Sequence, residues 1–324
     1  MKNILITILL FISFLGFSQQ QKNGAGKVIY TWGDSMTAGT GATNGQTWQN
    51  QMFRWIDQQR YYKVFARGGI TSTEIAYLAG GIPFRISVPS NNLTTSYQYL
   101  TYNSGRILGT NADTTSYCIS GTVVAKTTSN VTVKLRTLLK RTGYDSSGVR
   151  VEKLRIRIPS GVSALNNSYV EPKSFFTPDD AVNSRGDINI IWAGVNDNKA
   201  TLDTLCYNNI VSIVEKLENP KQFIVIGVIP ATYMTTGTSD NSYIVAYNAK
   251  MKAKYPNNFV DMNPPTTDEM RATGFTYNST DLAEIATGIF PTSMHSSGDQ
   301  IHLNNAGYAI VAYRVAKVYN ANGY

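Results

Sequence analysis

The run Lys27-Val28-Ile29-Tyr30-Thr31-Trp32-Gly33-Asp34-Ser35-Met36-Thr37-Ala38-Gly39 passes from a short apolar segment into a glycine-flanked turn that carries a serine. Residues 27–32 read as a buried strand with the serine presented at its carboxyl end. The same arrangement recurs twice. Tyr62–Ala66 runs into Gly68-Gly69, and Ile188–Ala193 runs into Gly194-Val195-Asn196-Asp197. Phe223–Val228, stopped by Pro230, and Phe259–Asp261 are two further apolar runs. Between these runs the apolar spacing is helical: Trp48–Gln58, Ser72–Leu78, Leu202–Leu217 (Ile210, Ile213, Val214, Leu217), Ser242–Tyr255 and Ala306–Tyr319. Near-continuous apolar strands alternating with helices predict an α/β fold whose parallel sheet is covered on both faces.

From residue 80 to 185 the period changes. Phe84–Val88, Val131–Leu135 and Val151–Ile158 alternate with period two and are separated by Ser, Asn and Gly clusters. That pattern predicts an inserted antiparallel β subdomain. The α/β core is then residues 19–79 and 186–324.

Composition narrows the classes. The chain has 324 residues, 42% hydrophobic and 15% charged, which excludes a disordered tail or a coiled coil. With 2 His and 2 Cys there is little material for a structural zinc site, and Cys118–Cys206 is the only disulfide the chain can form. The net charge of +8 is unevenly placed. Residues 80–185 carry 13 basic against 6 acidic groups, a net +7, with Lys134, Arg136, Lys140, Arg141, Arg150, Lys153, Arg155 and Arg157 concentrated in one stretch. No zinc finger, RNA-binding aromatic motif or basic helical run accompanies that charge, so nucleic acid is not the expected partner. A solvated strand face and a surface that attracts an anionic polymer are the two readings it allows.

Met1-Lys2-Asn3 followed by the apolar run Ile4–Phe17 reads as a signal peptide spanning residues 1–18. The apolar run is shorter than the roughly 20 residues that span a bilayer. The expected location is secreted or periplasmic, with no stable membrane insertion after cleavage.

Four places can carry chemistry. Ser35 sits where open α/β sheets place ligands, although such a turn can also be structural or bind phosphate. A nucleophilic serine needs a base held by an acceptor. Of the two histidines, His302 lies in Asp299-Gln300-Ile301-His302, with an acid three residues before it; His295 lies in a Ser-rich loop with no comparable partner. Asn196 follows a strand and can donate to a developing oxyanion, or simply favour a turn. Gly68-Gly69 can offer a backbone N–H or merely flexibility. Neither the lipase elbow G-x-S-x-G nor the Walker pattern occurs.

In their order along the chain these blocks resemble the SGNH (GDSL-like) hydrolase superfamily. Gly33-Asp34-Ser35-Met36-Thr37-Ala38-Gly39 is similar to the family's first block, with Met36 where Leu is usual, and Asp299-Gln300-Ile301-His302-Leu303-Asn304 to its last. The resemblance covers residues about 27–79 and 186–320 and implies a flavodoxin-like three-layer α/β/α sandwich. It implies Ser35 as nucleophile, His302 as general base and Asp299 as the group that orients it. The Ser35 N–H, the Gly69 N–H and the Asn196 side chain would form the oxyanion hole, with no metal and no cofactor. The family's second block usually has Asn before its glycines, where this chain has Ala66-Arg67-Gly68-Gly69. The choice of Gly69 over Gly68 rests on the trailing Ile70-Thr71-Ser72-Thr73.

The expected activity is hydrolysis of short, acetyl-type esters on a carbohydrate by an exported serine esterase. The substrate is then an acylated small molecule or polysaccharide, anionic if the insertion's charge serves it. A lipase, arylesterase or thioesterase of the same family is the nearest alternative. A non-catalytic glycan-binding protein on this scaffold is the alternative from another class; it would be expected to lack Ser35, His302 or Asn196.

Overall fold

The computed structural model describes residues 26–56, 60–102, 118–127, 132–144, 150–158 and 167–324. The segment read as a signal peptide lies outside the described residues.

Five strands, β1 (Ile29–Gly33), β2 (Tyr62–Ala66), β3 (Ile188–Trp192), β4 (Phe223–Ile226) and β5 (Phe259–Val260), pair in parallel in the order β5-β4-β3-β1-β2. From the β2 edge this is 2-1-3-4-5, the flavodoxin-like order, in which ligands sit at the carboxyl ends of β1 and β3 where the winding reverses. Gly33 is level with Ala66 on one side and Trp192 on the other. The loops bearing Ser35, Gly68-Gly69 and Asn196 therefore leave the sheet at the same height.

The described α-helices of the α/β core are α1 (Ser35–Ala38), α2 (Trp48–Met52), α3 (Ser72–Leu78), α4 (Tyr207–Glu215), α5 (Ser239–Lys254), α6 (Thr267–Ala272), α7 (Ser279–Ala286) and α8 (Asn305–Ala321). Alternation along the strands sends Tyr30, Trp32, Ile191 and Val225 to one face, where Ile75 of α3, Ile210 and Ile213 of α4 and Tyr247 of α5 cover them. Ile29, Ile190, Trp192, Ile224 and Ile226 face the other side, against Trp48 and Met52 of α2 and Ile310 and Val315 of α8. Ile190, Ile191, Ile224, Val225 and Ile226 are fully buried, and each such side chain contributes about 1.5–3 kcal/mol. The result is the expected three-layer sandwich.

Some boundaries differ from the sequence expectation. The helix from Trp48 ends at Met52 rather than Gln58. Arg54 N–H and Trp55 N–H donate three residues back, to Gln51 O and Met52 O, and this tight turn seats the Trp55 ring edge-on to Tyr313 of α8 at 5.6 Å. Residues 202–206 form a wide π-type turn before α4. The helix expected from Ser242 starts at Ser239, because the Thr238 hydroxyl caps Asn241 N–H. Helices α6 and α7 were not expected, although each opens with a capping box, Thr266/Glu269 and Asn278/Asp281.

The insertion is an antiparallel sheet whose main strands are Phe84–Ser87, Cys118–Lys126, Thr132–Tyr144, Arg150–Arg157 and Ser174–Pro178. It is not merely tethered to the core. Phe84, Ile86, Val123 and Phe176 share one continuous apolar cluster with Tyr30 and Trp32 of β1. Asp180, just after the last of these strands, faces Lys63 of the edge strand β2 at 4.0 Å. Cys206 is a buried free thiol, so the Cys118–Cys206 bridge is not made.

Candidate active site

The turn that carries Ser35 is built around Gly33, Asp34 and Ser35. At Gly33 a Cβ would lie 2.0 Å from Thr37 Oγ1 and 2.4 Å from Trp192 O, so only glycine lets the chain turn this close to β3. Asp34 then caps α1, its carboxylate accepting Met36 N–H at 2.9 Å. This leaves Ser35 as the first helical residue, with an N–H that lacks an intrahelical partner. Burial raises the Asp34 carboxyl to about 7, against the Met36 N–H that favours the anion; nearby Asp197 raises it further and Lys199 lowers it.

The serine, the histidine and the acid meet. His302 Nε2 lies 2.8 Å from Ser35 Oγ, and His302 Nδ1 lies 2.6 Å from Asp299 Oδ2. An ionised carboxylate can only accept, so Nδ1 carries the ring proton and Nε2 is the acceptor that faces the serine. Asp299 is itself fixed: its Oδ1 accepts Ile301 N–H at 2.8 Å and His302 N–H at 2.9 Å. Partial burial pushes its carboxyl up, but these two N–H groups and the imidazole outweigh it and bring it down to about 2. Asn304 holds the base of the loop, capping α8 through Ala306 N–H and donating to Ser293 O and His295 O. The other histidine is turned away, its Nδ1 3.1 Å from Pro291 O, so of the two only His302 reaches the serine.

The loops after β2 and β3 are bound to each other. Asn196 Nδ2 donates to Ile70 O at 2.9 Å, one residue past Gly69, which has a φ of +78°. A primary amide has two N–H groups, so one remains for another acceptor. Asp197, which the sequence block quotes without a role, is buried and takes Ser72 N–H and Ser72 Oγ at the start of α3. Asn209 of α4 donates in turn to Ser72 Oγ. Lys199, also unexpected, donates to Val195 O at 2.6 Å, Asp197 O at 2.9 Å and Gly194 O at 3.3 Å. Burial lowers the pKa of its ammonium, while Asp197, Asp240 and Asp34 pull it back up. The one available signal for this pair was a charged Asp and Lys within three residues of Asn196, on a chain only 15% charged.

Two clefts lie on this part of the molecule, and Ser35 and His302 line neither of them. One, of about 400 Å³, runs along the β2 edge toward Arg67 and is walled mainly by apolar side chains, Phe65, Leu78 and Ile119 of the insertion among them. The other, of about 790 Å³, lies beside the Asp299–Ile301 segment. Among the described residues no three His, Cys, Asp or Glu side chains come together as a metal site.

No protein-family model matches this chain, and no curated protein matches it. Solved structures similar to it include a member of the lipolytic G-D-S-L family from Veillonella parvula DSM 2008, at 12% identity and a TM-score of 0.43, covering 90% of this chain and 98% of that one. The lipase Lip_vut3 from a goat rumen metagenome is similar at 12% identity and a TM-score of 0.43, covering 90% of this chain and 97% of that one.

Proposed function

We propose that this chain is a serine ester hydrolase of the SGNH type, exported, and acting on short acyl esters of a carbohydrate. The observation that carries the reading is the unbroken hydrogen-bond chain Ser35–His302–Asp299 at the carboxyl end of β1. In that chain Ser35 Oγ attacks the ester carbonyl as His302 Nε2 takes its proton. Asp299, held anionic, keeps Nδ1 protonated and stabilises the imidazolium. The carbonyl oxygen, now negative, is received by the Ser35 N–H, the Gly69 N–H and the free N–H of Asn196. His302 returns the proton to the leaving alkoxide, giving the alcohol and an acyl-Ser35. Water repeats the cycle with His302 as base and releases the acid.

Export is supported by the signal-like Met1–Ser18 segment, and a short acyl group on a carbohydrate by the access that export gives to extracellular polysaccharide. The test is release of 4-nitrophenol from 4-nitrophenyl acetate. Wild type should turn it over, while Ser35→Ala and His302→Ala should abolish turnover. Full activity in Ser35→Ala would remove the assignment. Comparing an acetylated oligosaccharide with a medium-chain lipid ester then separates a carbohydrate esterase from a lipase.

A further inference from the structure

Ser35 and His302 are 267 residues apart in the chain, so the 2.8 Å between Oγ and Nε2 depends on what joins the segments that follow them. One segment is the loop of residues 39–47, which leaves α1. It starts bonded to the serine itself, because Thr40 N–H donates to Ser35 O at 3.0 Å. The other is the first turn of α8, which opens at Asn305, three residues after His302.

Hydrogen bonds tie this loop to that turn along its length. Tyr308 Oη donates to Thr40 O at 2.9 Å. Asn305 and Thr43 pair reciprocally: Asn305 Oδ1 accepts Thr43 N–H and Asn305 Nδ2 donates to Thr43 Oγ1, both at 2.9 Å. Gln51 Nε2, from α2, closes the far end by donating to Gln46 O at 2.7 Å and Asn305 O at 2.9 Å. Residues three apart on a helix are surface neighbours, so Asn305 and Tyr308 present one face of α8 to the loop. The loop also meets the histidine segment directly. A Cβ at Gly41, whose φ is +93°, would lie 2.5 Å from Leu303 O and 3.4 Å from His302 Cβ.

We propose that Asn305 and Tyr308 are positioning residues of the serine–histidine pair, which through residues 39–47 hold His302 within reach of Ser35. This rests on the esterase reading above. Asp299 fixes the tautomer and orientation of the imidazole; the loop fixes how far the imidazole stands from the serine. Proton transfer needs heavy atoms about 2.6–3.2 Å apart, and a displacement of about 1 Å can cost about 10²-fold. Loss of one tie therefore shows in turnover before it shows in the fold. The two side chains can be changed without opening the core. Asn305 is half-buried at the first helical position, where Ala is the better helix former. Tyr308→Phe keeps the fully buried ring and removes only its hydroxyl.

The experiment uses the full chain, well below the Tm of each variant, with two readouts. One is steady-state hydrolysis of 4-nitrophenyl acetate. The other is the rate at which a fluorophosphonate labels Ser35, which reports activation of the serine without ester turnover. Asn305→Ala and Tyr308→Phe should each lower kcat and kcat/KM equally, by about tenfold, and slow labelling by the same factor. Asn305→Asp, whose carboxylate can accept both the Thr43 N–H and the Thr43 hydroxyl, should recover most of the loss. Wild-type kcat in both variants, a loss carried by KM, or a loss that Asn305→Asp leaves in place would overturn the positioning role and leave the esterase reading standing. A wild type inert toward both the ester and the fluorophosphonate would overturn the esterase reading and the positioning role with it.

Discussion

Asp197, on the loop after β3, accepts the Ser72 hydroxyl at 2.6 Å and the Ser72 N–H at 2.9 Å at the start of α3. This contact joins the loop that carries Asn196 to the one that carries Gly69. Together with Asn196–Ile70 and the three carbonyls gathered by Lys199, it makes the two donor loops one unit. A donor contributes to catalysis only if it is in place before charge develops. Lys199→Met should therefore lower kcat about tenfold or more with little change in KM, the signature of an interaction made in the transition state. In an Asn196→Ala background the same substitution should cost much less, because the group it positions is gone. Equal costs in both backgrounds would mean that Lys199 acts on the fold at large, which thermal melting would report.

Asn196 itself has one N–H committed to Ile70 O and one free. Asn196→Ala should cost about 10²–10³ in turnover, the usual effect of losing one oxyanion donor. Asn196→Asp keeps the shape but turns the donor into an anion, and should be no better. Steady-state kinetics on 4-nitrophenyl acetate measure both; an Asn196→Ala enzyme at wild-type kcat would remove this residue from the oxyanion hole.

Asp34 gives a pH signature. Burial raises its carboxyl from 3.8 to about 7, so between those values the folded chain holds a proton that the unfolded chain has released. The stability linked to that proton is complete below 3.8 and is lost as pH rises through about 7. Asp34→Asn retains an oxygen for Met36 N–H and removes the titration. The Tm of wild type minus that of Asp34→Asn should fall as pH is raised from about 4 to about 8. A difference that stays constant with pH would show that the carboxyl is ionised throughout.

The basic insertion predicts a salt effect. Lys134, Arg136, Lys140 and Arg141 lie on the strand Thr132–Tyr144, and Arg150, Lys153, Arg155 and Arg157 on its neighbour, with Lys140 in register with Arg155. Screening acts over about 10 Å at 0.1 M salt. Raising salt from low to physiological strength should slow deacetylation of an acidic polysaccharide and leave 4-nitrophenyl acetate unaffected. A flat response on both would reduce these charges to a solvated face. Excising the insertion is a poor test, because Phe84, Ile86, Val123 and Phe176 cover the same apolar cluster as Trp32.

Much of this was legible in the sequence because it is local. Each of the five core strands is a short apolar run, three of them leading into the turns that carry Ser35, Gly69 and Asn196, and Ser35 and His302 lie in recognisable blocks. Other features depend on contacts between distant segments. Asp197–Ser72 spans 125 residues and Lys199 bonds backbone carbonyls, so nothing beyond their charge beside Asn196 announces either. The strand Cys118–Lys126 has no clear sequence pattern, because small and polar residues, Ser120, Gly121 and Thr122, break its alternation; its pairing with Thr132–Tyr144 completes it. Helices α6 and α7 are short and polar, with only their capping boxes to mark them.

The central claim is that Ser35 is a nucleophile activated by His302. Intact-mass and peptide mapping after exposure to a serine-directed fluorophosphonate test it most directly, read beside residual 4-nitrophenyl acetate hydrolysis. The expected result is one adduct per chain, on the peptide bearing Ser35, with activity lost in proportion and no adduct in Ser35→Ala or His302→Ala. An unlabelled Ser35, or a fully labelled chain that still hydrolyses the ester, would contradict it.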